Sequence, residues 1–172
     1  MIVVAVVGIL AVLAYAGYRR YSESAKESEV KDIILGIHAG QTAYFNDSNG
    51  YLDCSSSLNS WYPAQPDGKK RPFQNPGHSD YPCFKLLNID TNAPTRMGFA
   101  VVAGVKGEAP PATAFEEQPT WPTPTKDVWY VIQASGDQND DGQLSYFVSS
   151  SFAPNHVLAT SGPASTPLPS SK

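Results

Sequence analysis

The first 18 residues, MIVVAVVGILAVLAYAGY, carry no charge, and nearly all of them are apolar. A helix over that run spans about 27 Å, slightly short of the roughly 30 Å hydrocarbon core of a bilayer, whose crossing usually takes about 20 residues. Three readings compete. A buried core helix is disfavoured, because a helix apolar on every face and placed at a chain terminus is rare in a domain this small. A secretory signal peptide would use Ala14-Tyr15-Ala16 as its small-x-small cleavage site, yet no basic residue precedes the apolar run. The expectation is a membrane-inserted helix retained in the mature protein.

The helical signal continues beyond that run. Residues 19–32 hold four basic side chains (Arg19, Arg20, Lys26, Lys31) and four acidic ones (Glu23, Glu27, Glu29, Asp32). Arg19 with Glu23, and Glu27 with Lys31, are opposite charges four apart, the spacing that supports a helix. Val30, Ile33, Ile34, Ile37, Tyr44 and Phe45 then fall on one face of a 3.6-residue repeat. Asn49-Gly50 is a pair suited to left-handed backbone and ends the pattern. A continuous helix to about Ser48 would be roughly 70 Å long, bare and greasy at one end and bound to a head at the other.

These residues resemble a known family. MIVVAVVGILA, then AYAGYRRY, a polar helix and QTAYFNDSNGY together are similar to the N-terminal helix of type IV pilins and pseudopilins, over about the first 51 residues. Gly8 stands at the family's characteristic glycine. The family's processing site, a glycine before Phe-Thr-Leu-Ile-Glu, is absent, so the chain is expected to begin inside the mature N-terminus. Ala16 occupies the place of a helix-kinking proline in many members, and Gly17 beside it is the expected soft point, since glycine costs about 1 kcal/mol in a helix. The resemblance implies a fibre-core helix that includes Ile2, Val3, Val4, Val6, Val7, Gly8, Ile9, Leu10, Val12 and Leu13.

Residues 51–95 read as a long irregular loop, its stretch 51–92 holding prolines at 63, 66, 72, 76 and 82 and a basic cluster Lys69-Lys70-Arg71. Cys54 and Cys83 are the only cysteines, so oxidation would force their pairing. No Cys-x-x-Cys motif offers redox, zinc or haem chemistry instead. A bridge would close a loop of about 30 residues, contribute on the order of 3–4 kcal/mol, and place the head outside the cytoplasm. It departs from the C-terminal disulfide usual in the family. His38, His78 and His156 show no ligand spacing and read as surface or packing residues.

Beyond Arg96 the period becomes that of strands: MGFAVVAGV (97–105), VWYVIQAS (128–135), QLSYFVSSS (143–151) and HVLAT (156–160). The insert 106–126 holds five prolines (110, 111, 119, 122 and 124) and reads as an extended surface excursion. Residues 163–172 form a Ser/Pro-rich tail. The fold class is therefore α+β and pilin-like. One long N-terminal helix (1–18 apolar, 19–50 amphipathic) packs on an antiparallel sheet of about four strands within a head spanning 51–162.

The sharpest chemical signal is Asp137-Gln138-Asn139-Asp140-Asp141-Gly142, between two expected strands. Asp137, Asn139 and Asp141 followed by glycine match the first half of a calcium loop, and the Gln143 carbonyl adds a further oxygen. Position 12 of such a loop is Val148, not the bidentate glutamate. A polar hairpin turn explains the same residues, because Asp-Gly is a strong turn pair. Calcium is thus a candidate and no cofactor is required. No nucleophile elbow, phosphate-cradling loop or His-Glu-x-x-His appears, and no enzyme is expected. Twelve basic against sixteen acidic residues leave no footprint for nucleic acid.

The functional expectation is a structural subunit of an extracellular type IV pilus-like filament, a helical homo-oligomer held in the inner membrane before assembly. The resemblance implies prepilin peptidase and pilus assembly machinery as partners. The alternatives are a pseudopilin of a type II secretion system, a minor pilin, or a membrane-anchored monomeric binding module.

Overall fold

The amphipathic face of the N-terminal helix has a sheet to pack on. The computed structural model describes residues 2–89, 91, 93–115, 118–138 and 142–161. Helix α1 covers Ile2–Ser48. Val30, Ile33, Ile34 and Ile37 are buried against the head, and Tyr44 and Phe45 half-buried. Asn49 ends the helix with a φ of 58°, a conformation that asparagine tolerates. The Glu27–Lys31 pair forms at 2.8 Å. The side chains of Ala16, Arg19 and Glu23 lie outside the described residues.

Strands β1 (Gly98–Gly104), β2 (Trp129–Gly136), β3 (Ser145–Ser150) and β4 (Ala153–Ser161) form an antiparallel sheet in the order β1-β2-β3-β4. The α+β class and the four antiparallel strands agree with the sequence pattern. The register pairs Val101 with Ile132, and Ile132 with Ser149. Phe99, Val101, Tyr130, Ile132, Ala134 and Phe147 thereby share the face that meets Ile34 and Ile37. Gly40 lets α1 approach closely. A Cβ there would collide with the Leu87 carbonyl oxygen.

Two expectations need correction. Residues 51–95 are not one irregular loop, because a short helix α2 (Tyr81–Leu86) buries Phe84 and stacks it on Tyr62 at 4.2 Å. Pro82 is tolerated there because the first turn of a helix has no use for its missing N–H. A single β-bridge from Tyr62 to Phe99 ties the same region to the sheet edge, and another, Arg71–Thr95, closes the region on itself.

The proline-rich insert forms no helix or strand among its described residues and is largely exposed, as expected, but it is not only a surface excursion. It covers the second face of the sheet, where Phe115 joins Leu58, Trp129, Val131 and Val148 in a separate core. Gln133 holds the insert and the earlier loop together, accepting from Ala114 N–H at 2.8 Å and donating to the Leu58 carbonyl at 3.0 Å. Covering both faces explains why every residue of β2 is buried.

Candidate functional site

Three features of the molecule bear on function, beginning with the N-terminal half of α1. Ile2, Val3, Val4, Val6, Val7, Ile9, Leu10, Val12 and Leu13 are all exposed, from 49% at Val6 to 82% at Ile2. Gly8 and Gly17 also face open space. Soluble proteins rarely show a contiguous apolar surface of this extent unless something covers it. Among the described residues, no helix is long and apolar enough to cross a membrane.

The second feature is a buried hydrogen-bond chain where α1 meets the sheet. The Ser149 hydroxyl donates to the His156 carbonyl at 2.9 Å, which commits its only proton. The 2.8 Å contact from Ser149 Oγ to His38 Nε2 must then be donated by the imidazole N–H. Nδ1 is left as the acceptor, and the Tyr130 hydroxyl donates to it at 2.5 Å. Every group is satisfied with His38 neutral. Burial lowers the His38 pKa to about 4 and pushes the Tyr130 hydroxyl up, so both keep the protons that the chain requires.

A serine beside a histidine invites a catalytic reading. Here Nε2 carries the proton and donates to Ser149, the reverse of what a general base must do. All three side chains are also removed from solvent. The arrangement can lock α1 to β2 and β3. The local sequence around His38 is compatible with a surface or a packing role and carries no sign of its partners, although His38 and Gln41 extend the stripe begun by Val30, Ile34 and Ile37. Gln41 closes the helix end, exchanging two hydrogen bonds with the Leu52 backbone at 2.7 and 2.9 Å.

The third feature is the pair of expected sites in the head. Cys54 and Cys83 are joined by a disulfide, with Cα atoms 5.3 Å apart. The bond fixes α2 to the segment 54–55, whose N–H groups both donate to the Val101 carbonyl. In the Asp-rich turn, Asp137 accepts from Gly142 N–H at 2.9 Å, and Gly142 has a φ of 81°. Asn139, Asp140 and Asp141 lie outside the described residues, as does the tail 163–172. Among the described residues, no group of three His, Cys, Asp or Glu side chains is placed to hold a metal ion. The basic cluster is partly neutralised, since Arg71 pairs with Asp67 at 2.6 Å and holds that carboxyl below its ordinary range.

No family model matches the chain, nor does any curated protein or solved structure.

Proposed function

We propose that the chain is the structural subunit of an extracellular type IV pilus-like filament, with the apolar half of α1 packed against the same helix of other copies. One observation carries the reading. Nine large aliphatic side chains stand exposed around a single helix whose other half holds the head. Burying one such side chain contributes about 1.5–3 kcal/mol. Covering all nine is worth on the order of 15–25 kcal/mol before the costs of association. Lipid covers the surface in the inner membrane, and neighbouring helices replace lipid in the fibre.

The disulfide supports an extracytoplasmic head. The pilin-like signature of residues 1–51 supports processing by a prepilin peptidase and delivery by pilus assembly machinery. The long connections of the head favour a pilus over a secretion pseudopilus. Imaging of protein taken from the cell surface tests the proposal. Helical fibres with residues 2–13 at the axis are expected, and a full-length protein that stays monomeric on cells would sink it in favour of a tethered binding module.

A further inference from the structure

Tyr51 follows the C-terminal end of α1, about 50 Å along the helix from Leu13. An open cleft of about 280 Å³ lies there, near the lower edge of the roughly 300–1,000 Å³ typical of small-molecule sites. Its apolar wall is formed by Tyr51, Pro122 and Phe152, and its polar groups come from Lys126, Asp127 and Ser151. The aromatic rings are fixed from behind. Tyr51 lies 4.9 Å from Phe45 and edge-on to Tyr130 at 4.5 Å, while Phe152 lies 5.8 Å from Trp121. A ligand therefore meets walls that need little reordering.

The polar groups are open to a ligand. Ser151 Oγ accepts from the Tyr130 backbone N–H at 3.1 Å, which leaves its own proton to donate. Lys126 and Asp127 are exposed and make no hydrogen bond or ion pair among the described residues. The Tyr51 hydroxyl is likewise without a partner there, and burial raises its pKa, so it stays a neutral donor. The set thus offers one carboxylate acceptor, one cationic donor and two hydroxyls beside ring faces.

The geometry points to a binding cleft for a neutral saccharide, its C–H face laid on Tyr51 or Phe152 and its hydroxyls shared among Asp127, Lys126 and Ser151. Opposite charges side by side select this class. A quaternary ammonium ligand would suit the aromatic wall and Asp127 but meet the Lys126 cation. A simple anion would suit Lys126 but meet the Asp127 carboxylate. A polyhydroxylated neutral ring has donors for the first and acceptors for the second, and an apolar face for the wall. The cleft's outward position rests on the filament reading, since it lies at the end away from the apolar half, but its chemistry does not.

The test uses the full chain in detergent micelles, with glucose, galactose, mannose and N-acetylglucosamine as probes and choline and sulfate as comparisons. Binding is read by saturation-transfer NMR and by tryptophan fluorescence, to which Trp121 beside Phe152 contributes. At least one sugar is expected to bind with a Kd on the order of 1–10 mM. Asp127→Asn and Phe152→Ala should each weaken it by about tenfold, with the disulfide-bonded head still folded by circular dichroism. Silence from all four sugars at about 100 mM, saturation by choline or sulfate alone, or sugar binding unchanged in both variants would overturn the assignment. Fibre formation scored in the same preparations separates the two proposals, because neither variant touches residues 2–13.

Discussion

The two halves of α1 share one backbone and differ in what their side chains meet. Nine aliphatic side chains between Ile2 and Leu13 stand in open space around the helix, whereas Val30, Ile33, Ile34 and Ile37 bury one stripe against a sheet. Leu35 apart, the second half carries polar or small residues on its remaining exposed faces, so little of it asks for a further cover. The first half has no polar residue, and only lipid or other protein can cover it. The contrast separates two kinds of apolar residue: those covered by the chain's own head and those left exposed for a cover from outside it.

Substitutions in the two halves should therefore fail differently. Val7→Asp is expected to abolish fibre formation, because a charge in a packed helical core has no partner. The melting temperature of the isolated subunit should stay within about 1 °C of the parent, since exposed sites alter stability little. Negative-stain imaging and a thermal scan on the same sample read both effects. If Val7→Asp melts the head, the halves are not independent.

The reverse pattern is expected inside the head. Ile34→Ala should cost about 2–5 kcal/mol of subunit stability by urea unfolding. Removing the disulfide by Cys54→Ser with Cys83→Ser should cost about 3–4 kcal/mol, chiefly by freeing the unfolded chain. Hydrogen exchange should then rise in residues 54–83 more than in β2. Equal loosening of both would mean that the bond braces the sheet as well as its own loop.

Acid probes the joint between helix and sheet. Burial depresses the His38 pKa to about 4 from 6.5, so the unfolded chain takes up a proton first as pH falls. Stability is full above about pH 6.5, declines through the window down to about pH 4, and loses about 2–3 kcal/mol in all. His38→Gln should flatten that decline. A parent and a variant with the same slope would show that other groups cause it.

The smallest effect is expected at the Asp-rich turn. If Asp137, Asn139 and Asp141 with the Gln143 carbonyl take calcium, the affinity lies near 10⁻⁴–10⁻³ M without a position-12 glutamate. Excess calcium then adds about 1–3 kcal/mol to the head. Asp137→Ala would remove that response together with the Gly142 hydrogen bond. A melting temperature indifferent to chelator would leave the turn as a hairpin only.

Much of the head was legible because periodicity reports burial on a single face. The four strands and the Val30–Ile33–Ile34–Ile37 stripe follow from apolar spacing alone. Other parts depend on contacts distant in sequence, which spacing does not record. Helix α2 is short and begins with a proline-bearing turn, so its residues resembled the loop around them. The second core was signalled weakly by VWYVIQAS, a nearly unbroken apolar run of the kind that strands covered on both faces adopt. What covers that face comes from Phe115, amid prolines that signalled only extension. The partners of His38 lie 92 and 111 residues away and could not be read from the local pattern.

Intermolecular cross-linking at Leu10 tests the central contrast most directly. Leu10→Cys and, as its counterpart outside the apolar half, Leu35→Cys are oxidised in assembled material and resolved without reductant. Covalent dimers are expected through Cys at position 10 and none above background at position 35, an exposed position in the head-bearing part of the helix. Absence of Leu10→Cys dimers in material that forms fibres would contradict the account, because the apolar halves would then not be one another's cover.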